Sequence, residues 1–226
     1  MAFYERLVEQ TEQHKAYFLS APIIQQVLEG NFSLQTYICF LNQAFHHVKH
    51  TIPLLMMAGG RLSDQQGWLR KTISDYIEEE IGHEQWILDD IAACGYDRDY
   101  YETAAAPYHS EIMVSFLYYF VARQNPVGIF GMVLVLEGTS AGLAPVVASL
   151  VQEQLALPDS AMTYLTTHGE LDQGHIQFFE KAMNKITDLN DQAAIVHVAN
   201  TMYRLYGDVY RSIPEAAQQL QNTQAA

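Results

Sequence analysis

Residues 127–152 read VGIFGMVLVLEGTSAGLAPVVASLVQ, an apolar run carrying one ionisable side chain, Glu137, near its middle. The run is too long for a strand and has no period-two alternation, so it is expected to form a buried helix. It is also long enough to cross a bilayer, but a central glutamate, several glycines and Pro145 make it a poor membrane span. A core helix in a soluble all-α protein is the better reading. Its carboxylate then needs a partner, because burying it ionised and alone costs several kcal/mol. A salt bridge to a core Arg or Lys is one solution, but the chain has only 12 such residues. Protonation is a second, and a metal ion a third.

Working outward, Gly and Pro are few and fall between segments with 3.6-residue periodicity, and hairpin signals are missing. A first helix is expected over 3–19 and a short one over 22–29. Ser33 caps a long helix to about Ala58, bent at Pro53 and ended by Gly59-Gly60. Ser63 and Gln66 form a capping box that opens a helix lasting to Gly95. Residues 96–107 read as a polar loop before a helix over 110–123. Asn125-Pro126 caps the apolar segment, Asp159 starts a helix to about Ile186, and a last helix ends near Ile213-Pro214. The expectation is one domain over 1–226, a bundle of about seven helices, with 214–226 a frayed tail.

Twelve basic residues against 26 acidic ones give a net charge of −14, the opposite of the footprint that nucleic acid or an anionic lipid surface requires. The N-terminal stretch MAFYERLVEQTEQHK has no apolar core of a secretion signal, so a cytoplasmic location is expected. Cys39 and Cys94 lack Cys-x-x-Cys spacing and read as buried thiols. The 14 Tyr and 10 Phe imply a core of large rings or a ring-lined cavity.

Two further segments carry donors. In THGELDQGHIQFF, residues 167–179, His168, Asp172 and His175 fall at i, i+4 and i+7, one stripe of a helix. In DYIEEEIGHEQWILDD, residues 75–90, Glu80-x-x-His83 sets a carboxylate and an imidazole one turn apart, and Glu79 would serve almost as well. With Glu137, three helices then bring Glu80, His83, Glu137, His168, Asp172 and His175 to an inward face. Three carboxylates and three imidazoles without a thiolate suit two iron ions, with manganese possible, and O2 would bind between two such metals. A ferritin-like bundle would need a second Glu-x-x-His motif, which is absent.

Glu80 and His83 in EEIGHEQW, Glu137 in LEGTSAG and the His168-x3-Asp172-x2-His175 block resemble the heme-oxygenase-like diiron oxidases and oxygenases, relatives of the TENA/THI-4 and PqqC proteins. The nearest pattern is that of the terminal-alkene-forming fatty-acid decarboxylase. The resemblance implies a seven-helix heme-oxygenase-like fold, commonly dimeric, and two Fe2+ ions held by those six residues with O2 as co-substrate. It implies oxidation of a small substrate (a fatty acid, amino acid or amine) by C–H abstraction with C–C cleavage or desaturation. N-oxygenation at the same site is the alternative, but such members tend to take a further carboxylate from a core helix, and residues 33–58 contain no Asp or Glu. The self-sacrificing members use a Lys about ten residues after the second-block Glu, where this chain has Val147.

His46, His47 and His50 form a separate cluster that would contact substrate or hydrogen-bond within the bundle. Other readings compete. A TENA-like thiaminase needs a nucleophilic cysteine near the Glu137 helix. A heme oxygenase would nominate His14 and leave the six donors idle. A cofactorless PqqC-like oxidase would use the histidines without iron, and a non-enzymatic metal- or partner-binding module would not consume O2.

Overall fold

The computed structural model describes the backbone of residues 1–224 and the side chains of those residues other than 168–174. Among them there is no strand, as the periodicity requires, and the all-α expectation holds. The expected seven helices become eleven: α1 (Phe3–Leu19), α2 (Pro22–Leu28), α3 (Leu34–Val48), α4 (Thr51–Arg61), α5 (Gly67–Glu80), α6 (His83–Ala93), α7 (Arg98–Thr103), α8 (Tyr108–Arg123), α9 (Ile129–Leu155), α10 (Thr163–Met183) and α11 (Leu189–Gln224).

Each correction to the boundaries has a local cause. The helix expected over 33–58 is cut at Lys49-His50 rather than bent at Pro53. Proline lacks an N–H and clashes with the carbonyl four residues back, so the chain restarts and places Pro53 in the first turn of α4, where no donor is lost. The helix expected over 63–95 is also two: its capping box is present at Ser63 and Gln66, but Gly82 adopts φ +91 and divides α5 from α6. Residues 96–107 are not wholly loop, because the Asp97 side chain accepts from the Asp99 and Tyr100 amides and nucleates α7. At the other end, α11 continues through Pro214 to Gln224 instead of fraying. Ile213 and Ala217 are buried on either side of the proline, so packing offsets the one bond it removes.

The core is built around α9, which packs mainly on α10 and α11. Of its most membrane-like stretch, 67% is buried inside the protein, so the apolar run is spent on the core. The α9–α11 crossing is close: a methyl on Gly131 would sit 2.5 Å from the Ile195 carbonyl oxygen and 2.6 Å from the Ala199 nitrogen. Helix α1 lies along α11, and α3 packs between α6, α8 and α11. One tie reaches between elements distant in sequence. Asp90 of α6, fully buried, accepts from the amides of Thr163 and Tyr164 at 2.9 Å each and so caps α10, whose own flanking residue Met162 has no capping side chain. Burial pushes the Asp90 carboxyl up to about 6 against the opposing pull of those amides.

Candidate metal centre

Glu137 arises from the middle of α9 and is 7% exposed. Its carboxylate faces α10, with Oε1 3.8 Å from His175 Nδ1. The other nitrogen of that ring, Nε2, lies 3.0 Å from Glu79 Oε2 of α5. Tyr76, also on α5, sets its ring edge-on to His175 at 6.2 Å between centroids. One imidazole thus sits between carboxylates from two different helices.

Glu80 and His83 form a second donor pair. They are not one turn apart on a single helix, as expected, but at the end of α5 and the start of α6, across the left-handed Gly82. The turn still brings His83 Nδ1 to 3.4 Å from Glu80 Oε2. Both are buried, at 3% and 8% exposure, and the Trp86 ring stacks on His83 at 4.1 Å, which fixes the plane of the imidazole. The ambiguity between neighbouring glutamates divides into two roles: Glu80 is buried, while Glu79 is exposed and reaches His175 with its carboxylate.

Glu80 and Glu137 line the same cavity, together with His47, Tyr76, Tyr164 and Tyr206. Four of the six predicted donors therefore converge in two carboxylate–imidazole pairs. The other two, His168 and Asp172, lie outside the described side chains. Among the described residues, no group of three His, Cys, Asp or Glu side chains gathers around one point. Hard oxygen and borderline nitrogen donors without sulfur suit iron or manganese, and two pairs drawn from separate helices fit two ions better than one. In this sense the residues fit a diiron group. A heme fits less well, since His14 lines neither this cavity nor the larger one beside it.

The three neighbouring histidines have different positions. His47 Nδ1 lies 3.0 Å from the Gln43 carbonyl, which can only accept, so Nδ1 carries a proton and donates it there, on a ring that lines the cavity. His50 bonds the Tyr118 hydroxyl at 3.0 Å. His46 is fully buried, with neither ring nitrogen in a hydrogen bond among the described residues. Burial first, then Lys49 and His50, holds His46 down to about 4. Its folded value is thus below the ordinary 6.5, so the stability that goes with the neutral ring is present above pH 6.5 and is lost as the pH falls towards 4. His46→Leu is expected to remove that acid loss, on the order of 3 kcal/mol. Near pH 7 the variant should be about 1–2 kcal/mol more stable, because two unsatisfied buried atoms disappear. Urea titrations of both proteins at pH 7 and 4.5 check this, and a variant that is less stable at pH 7 contradicts it.

Several contributors were hidden from sequence reasoning. Asp90, Trp86, Tyr164 and Tyr206 carry no spacing signal, although the Glu78-Glu79-Glu80 run did mark Glu79 as a neighbour of interest.

A model of the iron-containing redox enzyme family matches residues 39–207, which include all six predicted donors. No curated protein matches the chain. Among solved structures, it resembles a domain of unknown function with a heme oxygenase-like fold from Shewanella denitrificans, at 22% identity over 98% of this chain and 95% of that one, with a TM-score of 0.86. A TenA homologue from Pseudomonas syringae pv. tomato superposes at 15% identity over 96% and 93% of the two chains, TM-score 0.76. Heme oxygenase-1 from the cyanobacterium Synechocystis, in complex with heme, superposes at 11% identity over 100% and 98%, TM-score 0.75. At these identities the likeness shows the fold, which is heme oxygenase-like.

Proposed function

The chain belongs to the iron-containing redox enzyme family, and from that premise we propose that it is a non-heme diiron oxidase or oxygenase that uses O2 to oxidise a small substrate. The observation that carries this reading is the convergence of Glu80 and Glu137 on one cavity, each with an imidazole against it, from helices separate in sequence. His168 and Asp172 complete the proposed ligand set, through their spacing from His175 along α10. Two iron ions held by these six residues supply the activation of O2.

The chain's own contribution is placement and protons. Glu80 and Glu137 bring the negative charge that neutralises the metals, and Trp86 and Glu79 orient His83 and His175. His47, held through Nδ1 by the Gln43 carbonyl, lines the cavity and can hydrogen-bond a substrate group there. Removal of hydrogen from carbon, leading to desaturation or C–C cleavage, is favoured over N-oxygenation because α3 and α4 supply no further carboxylate. Thiaminase chemistry is disfavoured: Cys39 and Cys94 are both pushed up to about 11 by burial, and neither lines the cavity. The proposed setting is the cytoplasm, as a homodimer without a nucleic-acid or membrane partner.

Anaerobic Fe(II) titration followed by O2 exposure, read by Mössbauer and stopped-flow absorbance on the wild type and Asp172→Ala, tests the reading. About two irons per chain and a transient absorption lost in the variant are expected. No iron, or one iron indifferent to Asp172, overturns it.

A further inference from the structure

Beside the donor cavity lies a larger chamber, walled by α2, α3, α9, α10 and α11. Among its described lining residues there is no Asp, Glu, Lys, Arg or His. Ile24, Val27, Phe40, Leu143 and Val147 are representative of the wall. Two of its hydroxyls are turned to backbone partners: that of Tyr37 donates to the Ala161 carbonyl and that of Thr139 to the Val135 carbonyl. The two spaces adjoin, because Ser140, Tyr164 and Tyr206 line both.

Such a pair of spaces discriminates by chemistry. A zwitterionic amino acid or a small polar amine satisfied at the donors leaves the chamber empty, and one placed in the chamber has its charges unsolvated. A compound with one polar end and a hydrocarbon body fits both spaces at once. We propose that the chamber holds the alkyl chain of a linear aliphatic amphiphile, whose single polar end group passes Ser140, Tyr164 and Tyr206 into the donor cavity. The fate of that end group rests on the diiron reading above; the binding of the chain does not.

The test therefore uses binding to the metal-free, full-length protein. Hexanoate, decanoate and tetradecanoate are titrated by calorimetry, with decylamine and decanol as arms that identify the end group. Affinity is expected to rise about fourfold per methylene until the chamber is full, at one chain per protein. Val147→Trp, which fills the chamber at a distance from the donors, should weaken decanoate at least tenfold without changing Fe(II) stoichiometry. Leu143→Ala should shift the preferred length upward by one or two methylenes, a gain that no misfolded variant produces. Affinity indifferent to chain length, or equal in wild type and a folded Val147→Trp, overturns the proposal. Loss of Fe(II) binding in the wild type would instead strike the diiron reading and leave the chamber result standing.

Discussion

Glu137→Leu is expected to make the metal-free protein more stable while removing its iron. The carboxylate is buried among Leu55, Met132, Val133 and Leu136, which line the same cavity, so a leucine of similar length lands in apolar company. Its neighbour His175 is not orphaned by the change, because Nε2 keeps Glu79 at 3.0 Å. Replacing a buried ionisable group in such surroundings gains roughly 1–4 kcal/mol, a rise in melting temperature of about 2–16 °C for a chain of this size. Iron affinity should fall at least ~100-fold, beyond the usual cost of losing an outer-shell partner. Calorimetric melting without metal and Fe(II) titration on the same preparation read both effects. If stability falls and iron binding persists, Glu137 is a structural ion-pair member and the metal reading fails.

The opposite balance is expected at Gly131. A methyl there meets backbone atoms of α11, which cannot rotate aside as a side chain can, so α9 and α11 must separate along one of the extensive helix contacts of the core. Gly131→Ala should cost about 3 kcal/mol, near the top of the overpacking range and equivalent to a melting temperature lower by about 6–12 °C. The control lies on the same helix. Gly142 is exposed, with no atom within 4 Å of the added methyl, and Gly142→Ala should stabilise by up to about 1 kcal/mol through helix propensity alone. Equal effects at the two sites would mean that the close crossing of α9 and α11 does not hold in solution.

How much of this was legible in the sequence depends on the kind of signal. Glu137 could be read because one charge in an apolar run has few physical explanations, and the His168, Asp172 and His175 spacing because helical periodicity is local. Ser33, Ser63 and Asn125 were readable as caps for the same reason, since each bonds an amide two or three residues away or completes a box with a residue three away. Asp90 was not readable. It caps α10 from more than seventy residues away, and nothing in ILDDIAA distinguishes it from its exposed neighbour Asp89. The breaks at His50 and Gly82 were underread in a different way. Both Pro53 and Gly82 were visible, but whether a helix bends or stops at such a residue is decided by what the flanking segments pack against. The chamber was beyond reach altogether, since its walls come from five helices and each contributes residues that look like ordinary core.

The joint at Gly82 sets the character of the first donor pair. Two ligands on an uninterrupted helix have a separation dictated by its pitch, and changing it means breaking rungs of the hydrogen-bond ladder. Glu80 and His83 are instead held across a corner whose one left-handed residue has no side chain and open space around it. Their bite is a matter of torsion angles, so the span between carboxylate and imidazole can widen or narrow as the charge and coordination of a bound ion change, with both helices left intact. The opposing carboxylate, Glu137, is set in the interior of a 27-residue rod. The centre therefore has one fixed jaw and one adjustable jaw.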